Sequence, residues 1–222
     1  FKKILEKAGY EKEKKFVFFL YKISDFYQYL KKKPSVIYAG AHNGSAALKI
    51  NEILNYEKIY LFEPNQTLCK QIENKSIPNS VLINKAIDNQ DMNNVEFNIA
   101  SKDSISSLKE LNTDSSWYKL RNKQYNKNQT DFVKQIKVNT TKLSTFINNE
   151  NIKNAEILII DTQGNTLNVL KSCENYLKLS YFDFIIAEII FDNCYGSKEK
   201  IMDIESYLDN FGYGTIGLHS QT

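Results

Sequence analysis

Residues 35–44 have the sequence Ser35-Val36-Ile37-Tyr38-Ala39-Gly40-Ala41-His42-Asn43-Gly44. The first five residues form a short, mostly apolar run that predicts a buried β-strand, and the two glycines predict a tight turn after it. Ser45–Leu54 then shows the apolar spacing of a helix. This order of strand, glycine turn and helix places the free N–H groups of the helix N-terminus where a ligand can approach the backbone closely.

Strands and helices alternate along the rest of the chain. The predicted core strands are 58–62, 81–84, 156–160, 183–188 and a final one near 215–218, and the predicted helices are 66–73, 143–149, 165–171 and 198–210. Two further strands, 95–99 and 135–138, fall outside this rhythm. The alternation predicts an α/β fold with a doubly wound, mostly parallel, Rossmann-like sheet. Because the chain ends soon after Leu218, we expect a seven-stranded type of sheet that lacks its last strand.

The chain is predicted to form one main domain, residues 35–222, preceded by a helical segment at 1–34. Apolar side chains recur at helical spacing over 11–33, so we expect this segment to pack on the core, with a membrane-surface helix or a lid as the alternative. Residues 101–134 are polar and rich in turn formers. They are predicted to form a lid or an insertion.

Composition excludes several classes of protein. The 222 residues are 42% hydrophobic and 25% charged, which is typical of a globular domain. The net charge is only +3 and Arg121 is the one arginine, so we expect no nucleic-acid partner. No apolar run approaches the roughly 18–20 residues of a transmembrane helix. The three cysteines are far apart, which predicts no zinc site and no disulfide framework and favours a cytoplasmic location.

A second motif narrows the class of ligand that the glycine turn is predicted to bind. Glu63 lies 19 residues beyond Gly44, at the end of the second predicted strand, where a carboxylate can accept two hydrogen bonds from ribose hydroxyls. Pro64 fixes the turn that follows. Together the two motifs predict a nucleoside cofactor, either NAD or S-adenosylmethionine. NAD is disfavoured because the turn is not Gly-x-Gly-x-x-Gly and the chain has no suitably placed Tyr-x-x-x-Lys pair.

Five motifs in a fixed order point to one family. They are Tyr38–Gly44, Phe62–Asn65, Asn84–Asp88, Ile160–Gly164 and Ala187-Glu188. In their order and spacing, over roughly residues 35–217, the chain resembles the FkbM-type S-adenosylmethionine-dependent methyltransferases. The resemblance implies a class I methyltransferase fold, S-adenosylmethionine as cofactor, and O-methylation of a small hydroxyl-bearing acceptor such as a sugar or a polyketide.

The resemblance also implies roles for individual residues. The turn of Gly40, Ala41, His42, Asn43 and Gly44 would contact the cofactor, with its methionine part at Gly40, Ala41 and Gly44. Glu63 would hold the ribose, and Pro64 and Asn65 would shape that turn. Lys85 and Ala86 would border the adenine, and Asp161, Thr162 and Gln163 would lie beside the transferred methyl group.

A methyltransferase must align an acceptor oxygen with the methyl group, exclude water and often remove the acceptor's proton. The predicted catalytic residues for that last step are Asp161 and Glu188, because both follow core strands. Asp161 could instead cap the next helix, and Glu188 could serve a structural pairing. His42 is a weaker candidate for the base and is expected to bond the cofactor or its own loop. Trp117 and Tyr118 are candidates for the lining of the acceptor pocket.

Three departures from the family pattern keep an alternative open. Tyr38 stands where the family usually has Asp, Thr166 where it usually has Glu, and Ile159 where it often has Lys. They favour a non-catalytic cofactor-binding or interaction protein derived from the same fold. A nucleic-acid amino-methyltransferase is disfavoured, because the turn at 161–164 lacks the Asp/Asn-Pro-Pro-aromatic sequence of those enzymes. The sequence leaves the acceptor and the oligomeric state open.

Overall fold

A computed structural model describes residues 30, 33–100, 103–116, 118–120, 132–190, 193–196 and 199–218. The predicted N-terminal helical segment lies almost entirely outside these residues, and so do Trp117 and much of the predicted insertion. The proposed boundary near residue 34 therefore stays a prediction.

The described secondary structure follows the predicted alternation of strands and helices. Its elements, in chain order, are β1 (Ser35–Ala39), α1 (Ser45–Leu54), β2 (Lys58–Phe62), α2 (Gln66–Asn74), β3 (Ser80–Ile83), β4 (Ala86–Ile87), β5 (Met92–Ala100), β6 (Phe132–Thr141), α3 (Leu143–Asn149), β7 (Ile157–Ile160), α4 (Thr166–Lys171), α5 (Glu174–Lys178), β8 (Phe184–Ala187) and α6 (Ile201–Asp209).

The main sheet has five strands in the order β3-β2-β1-β7-β8, and every neighbouring pair is parallel. The chain runs outward from β1 through β2 to β3, and later returns to the other side of β1 to form β7 and β8. The direction of winding therefore reverses between β1 and β7, and in open α/β sheets ligands bind at the carboxyl ends of the strands beside such a reversal.

Apolar side chains cover both faces of this sheet. Along β1, Ile37 and Ala39 pack in one cluster with residues of α3, α4, α5 and α6. Val36 and Tyr38 pack in the other cluster with residues of α1 and α2. A strand buried on both faces has an almost continuous apolar sequence, which is why β1 and β2 could be located from the sequence. The α/β, doubly wound fold is confirmed.

A smaller sheet has the order β4-β6-β5. Its long antiparallel pair of β5 and β6 contains the strands predicted at 95–99 and 135–138. The short strand β4 pairs parallel to β6 through Ala86 and Ile87. In chain order, the three strands of this sheet come after β3 and before α3. They therefore separate β1, β2 and β3 from the two later strands of the main sheet, β7 and β8.

The strand predicted near 215–218 is wrong. Residues 213–218 have no regular secondary structure, and the side chains of Ile216 and Leu218 are 69% and 61% exposed. A strand depends on a partner strand and a surface to pack against as much as on its own composition. Five strands form the main sheet in the described part of the chain. Within that part, no helix has both the length and the hydropathy needed to cross a membrane.

Candidate active site

Four strands of the main sheet end at the same edge. Gly40 follows β1, Glu63 follows β2, Asp161 follows β7 and Glu188 follows β8. Because β1 lies between β2 and β7, the strand order brings the predicted cofactor-binding residues and the predicted catalytic residues to one place. This edge is also the reversal point at which ligands of such sheets bind.

The turn after β1 needs glycine at two positions. Gly40 and Gly44 have φ angles of +87° and +78°, which glycine adopts without the penalty of a Cβ atom. A Cβ on Gly40 would lie 1.9 Å from the carbonyl oxygen of Asp161. The N–H groups of Gly40 and Ala41 both donate to the carbonyl oxygen of Phe62, at 3.0 and 2.9 Å. The turn is therefore held between the ends of β2 and β7.

Two polar side chains belong to the same turn. Asn43 accepts a hydrogen bond from the N–H of Ser45 through its Oδ1 atom, at 3.0 Å, where α1 begins. His42 has a φ of +51° and lies close enough to Asp161 to oppose the rise in the pKa of that carboxyl. Asn43 thus stabilises its own loop, while His42 lies near Asp161, one of the two predicted catalytic residues.

Glu63 joins the turns that follow β1 and β2. Its side chain is 5% exposed. Oε2 accepts the N–H of His42 and Oε1 accepts the N–H of Asn65, both at 2.9 Å. A carboxylate offers about four acceptor positions, two of which these backbone groups use. Glu63 lies where the ribose-binding acid was predicted, and it also orders the loops around it.

Asn84 fixes the second turn from the neighbouring strand. Its Nδ2 atom donates to the carbonyl oxygens of Glu63 and Pro64, at 2.9 Å each. Lys85, which follows, is exposed, and Ala86 is buried at the start of β4. The residues predicted to border the adenine therefore adjoin the Glu63 turn. The predicted site omitted Asn84 itself, although it belongs to one of the quoted motifs.

Asp161 and Glu188 form a half-buried carboxyl pair. The two groups lie within hydrogen-bonding reach of each other. Burial raises the pKa of Asp161 despite the opposing hydrogen bonds from Glu188 and Gln163. Burial, followed by the charge of Asp161, raises the pKa of Glu188 well above its usual range. Because two adjacent carboxylates repel each other, ionisation of one carboxyl disfavours ionisation of the other, and the arrangement favours a pair that shares one proton.

Gln163 connects this pair to the rest of the fold. Its Nε2 atom lies 2.9 Å from Oδ1 of Asp161 and 2.6 Å from Oε2 of Glu188. Its Oε1 atom accepts from the hydroxyl of Tyr195 at 3.0 Å, and its carbonyl oxygen accepts from the hydroxyl of Ser107 at 2.7 Å. The amide therefore donates to both carboxyls at once. Gln163 also has a positive φ of +52°, which is uncommon for a residue other than glycine. These contacts hold its turn in that conformation.

Tyr38 lies among the acidic side chains. It is 2% exposed, and burial, together with the charges of Asp161, Glu188 and Glu63, raises its pKa well above the ordinary value. The phenol is therefore neutral. In the register of the sheet, Tyr38 is paired with Ile159 of β7, and both side chains pack in the same apolar cluster. Two of the three departures from the family pattern are thus direct neighbours.

The third departure, Thr166, lies at the start of α4. It is 2% exposed. The carboxylate of Glu199 accepts the N–H groups of Thr166 and Leu167, at 2.8 and 3.0 Å. A helix N-terminus favours a negative charge, and here a residue from a distant part of the chain supplies it.

Some site residues could not be found from the sequence. Ser107, Tyr195 and Glu199 contact the Asp161–Gln163 turn or the helix after it from segments that carry no recognisable motif. Thr162 was predicted, and its Oγ1 atom is buried with no hydrogen-bond partner in the described part of the chain. Tyr118 is half-buried near Ser115, and Trp117 lies outside the described residues. Among those residues, no group of three or more His, Cys, Asp or Glu side chains could hold a metal ion.

Comparison with known families gives one match. A family model described as "Methyltransferase FkbM domain" matches residues 39–214, a span that begins at the last residue of β1, includes the other four strands of the main sheet and contains all four strand ends of the site. No curated protein and no solved structure matches the chain.

Proposed function

The chain belongs to the FkbM methyltransferase family, and from this premise we propose that it is an S-adenosylmethionine-dependent O-methyltransferase that acts on a small hydroxyl-bearing acceptor such as a sugar or a polyketide. The observation that carries this proposal is the half-buried Asp161–Glu188 pair beside the glycine turn. A singly protonated carboxyl pair can accept the proton of a hydroxyl group as it is methylated.

The residues at the strand ends fit the cofactor. Gly40 and Gly44 keep the first turn free of Cβ atoms, so a ligand can approach the backbone there. Glu63, which we propose contacts the ribose, stands at the end of β2. The nearby carboxyls of Asp161 and Glu188 suit a cofactor with a positive sulfonium group. When bound, the cofactor would supply an electrophilic methyl group that an acceptor oxygen takes in line.

The chain's own residues would then handle the proton. The ionised carboxyl of the Asp161–Glu188 pair accepts the hydroxyl proton of the acceptor. Gln163 holds the two carboxyls in place through its amide nitrogen. The pair is only partly exposed, and a lowered local dielectric strengthens these interactions. A positioned general base typically contributes about 10²–10⁴-fold to the rate.

The non-catalytic alternative rested on Tyr38, Ile159 and Thr166, and each departure has a structural counterpart. The family's usual Asp and Lys at positions 38 and 159 would be adjacent and oppositely charged, and here both are replaced together by Tyr and Ile. A joint loss leaves no unpaired buried charge. The charge absent at Thr166 is supplied by Glu199. These compensations favour a working site over a decayed one.

The test is to measure cofactor binding and methyl transfer separately. We expect S-adenosylhomocysteine to raise the thermal unfolding midpoint, as a ligand of the native state does, and NAD to leave it unchanged. We then expect labelled S-adenosylmethionine to transfer its methyl group to a hydroxyl in a panel of sugars and polyketides. Stabilisation by NAD alone would overturn the cofactor assignment. Binding of S-adenosylhomocysteine without transfer to any acceptor would favour the non-catalytic alternative.

Glu63→Ala should weaken S-adenosylhomocysteine binding by about one to two orders of magnitude. Losing a hydrogen-bonding carboxylate costs roughly 1.5–3 kcal/mol of binding free energy. Isothermal titration calorimetry on the folded protein measures this loss. Glu73→Ala is the control, because Glu73 is exposed on α2 and its removal should leave the affinity unchanged. An equal affinity for the wild type and Glu63→Ala would remove Glu63 from the cofactor site.

A further inference from the structure

We propose that Tyr195 is a positioning residue for the proposed methyl transfer: its hydroxyl orients the side-chain amide of Gln163 so that the amide nitrogen faces the Asp161–Glu188 pair. This inference rests on the proposed function and assigns a role to a residue that no motif marks. Tyr195 follows β8 by several residues and comes from a part of the chain that the sequence analysis left without a function.

The position of Tyr195 is closely defined by its surroundings. The side chain is 3% exposed. Its ring lies against Gly164, where an added Cβ would approach the ring to within 2.8 Å. Its hydroxyl has two acceptors within reach, Oε1 of Gln163 at 3.0 Å and the carbonyl oxygen of Ile105 at 3.1 Å. Burial raises the pKa of this hydroxyl, so it remains a hydrogen-bond donor.

The backbone around Tyr195 is joined to the segment before β6. Tyr195 forms an isolated antiparallel bridge with Leu111. On either side of this bridge, the N–H of Asn112 donates to the carbonyl oxygen of Cys194, and the N–H of Gly196 donates to that of Glu110, both at 2.8 Å. Because these hydrogen bonds hold the two segments together, the Tyr195 hydroxyl has a fixed position relative to Gln163.

The orientation of the Gln163 amide has a chemical consequence. With its oxygen bonded to Tyr195, the amide presents its two N–H donors to Asp161 and Glu188. Reversed, it would present its oxygen to the carboxyls, and this oxygen would repel the ionised carboxylate of the pair. N–H donors stabilise the ionised form of a carboxyl and so lower its pKa. The Tyr195 hydroxyl therefore helps to keep one member of the pair available as a base.

Several other titratable groups lie near the pair or near Tyr195 and stay unchanged in the test. Tyr38 from β1 and His42 from the following turn interact electrostatically with the pair. Glu63, which follows β2, interacts with Tyr38, and Cys194 interacts with Tyr195. Because Tyr195→Phe leaves all of them in place, a shift in the titration of the pair reports the loss of the Tyr195 hydroxyl.

Tyr195→Phe tests this inference in the protein without cofactor. Carbon-detected NMR follows the side-chain carboxyl signals of Asp161 and Glu188 with pH, assigned by comparison with Asp161→Asn and Glu188→Gln. We expect the macroscopic pKa values of the pair to rise by about half to one pH unit. If the enzyme is active, the acidic limb of its kcat/KM profile should move to higher pH by the same amount, and kcat should fall about three- to tenfold.

Tyr181→Phe is the matched control. The Tyr181 hydroxyl also donates to a backbone carbonyl, that of Ile152 at 2.9 Å, but it stands before β8, at the opposite end of the strand. Both variants lose one hydroxyl, so comparable thermal unfolding midpoints would show that stability does not explain the difference. A 3-fluorotyrosine at 195 keeps the hydroxyl, makes it a stronger donor and should move the pair's pKa values downward.

Unchanged carboxyl titration in Tyr195→Phe and in the fluorotyrosine protein would overturn the inference. So would an equal shift in Tyr181→Phe, which would mark a general effect of losing a hydroxyl. The titration needs no acceptor and no turnover. The inference about Tyr195 can therefore succeed where no methyl transfer is found, or fail in an active enzyme, and the two failures are distinguishable.

Discussion

Asp161→Asn should reduce methyl transfer by about two to four orders of magnitude while S-adenosylhomocysteine still binds. Asn has nearly the shape of Asp but cannot accept the acceptor's proton, and a general base is worth about that much in rate. Glu188→Gln should have a similar effect, because we propose that the two carboxyls act as one unit. For the same reason, the double variant should be barely slower than either single variant. Single-turnover transfer of a labelled methyl group measures the step.

The stability of these variants provides an independent check. The pKa of Glu188 is raised in the folded protein, so its ionisation disfavours folding, and the stability that its protonated form provides is lost as pH rises through that pKa. Glu188→Gln removes the ionisation. We therefore expect the free energy of unfolding to be higher than in the wild type at pH 8, with a smaller difference at pH 5. A stabilised but inactive variant is typical of an active-site residue.

Asp209→Asn is the control for the loss of a carboxylate. Asp209 is exposed at the end of α6, and its replacement should change neither rate nor stability measurably. If Asp161→Asn and Glu188→Gln both kept wild-type transfer rates, the pair would have no part in the chemistry. Methyl transfer would then depend on alignment of the acceptor alone.

The sequence predicted the main sheet well because buried parallel strands have a strong signature. The predicted bounds of β1 and β2 agree with the structure. The turn between β1 and α1 could be recognised from its two glycines, Gly40 and Gly44. The same reasoning failed at 215–218, since an apolar run resembles a strand whether or not a partner strand and a packing surface exist. The short helix α5 was also missed, because five residues are too few to show a helical period.

The site was only partly predictable for a different reason. Residues that follow a strand, such as Glu63, Asp161 and Glu188, could be placed together once the parallel sheet was predicted. Tyr195 and Glu199 reach the same turn from a loop, and nothing in their spacing signals that contact. That Tyr38 and Ile159 are neighbours could be seen only from the register of β1 and β7. The two departures are far apart along the chain but lie side by side on adjacent strands.

Gly40→Ala should be the most destabilising single substitution in the first turn, at a cost of about 3 kcal/mol or more of unfolding free energy. Two effects add. A residue with a Cβ pays roughly 1–2 kcal/mol at a φ of this sign, here +87°. In addition, its Cβ would lie 1.9 Å from the Asp161 carbonyl oxygen and 2.8 Å from the carbon that bears it. Relief requires a backbone shift, and overpacking of this kind costs about 1–3 kcal/mol.

Urea denaturation can separate these two effects with a matched glycine. Gly212 has a similar φ of +80°, but nothing lies within 4 Å of an added Cβ there, so Gly212→Ala should lose only the conformational part, about 1–2 kcal/mol. The difference between the two variants reports the contact between the β1 turn and Asp161. Because relief of that contact would push Asp161 away from Gly40, the folded fraction of Gly40→Ala should also bind S-adenosylhomocysteine more weakly than Gly212→Ala. Equal losses of stability in the two variants would mean that the β1 turn and the β7 turn do not touch, and the assembly of the site around Gly40 would have to be abandoned.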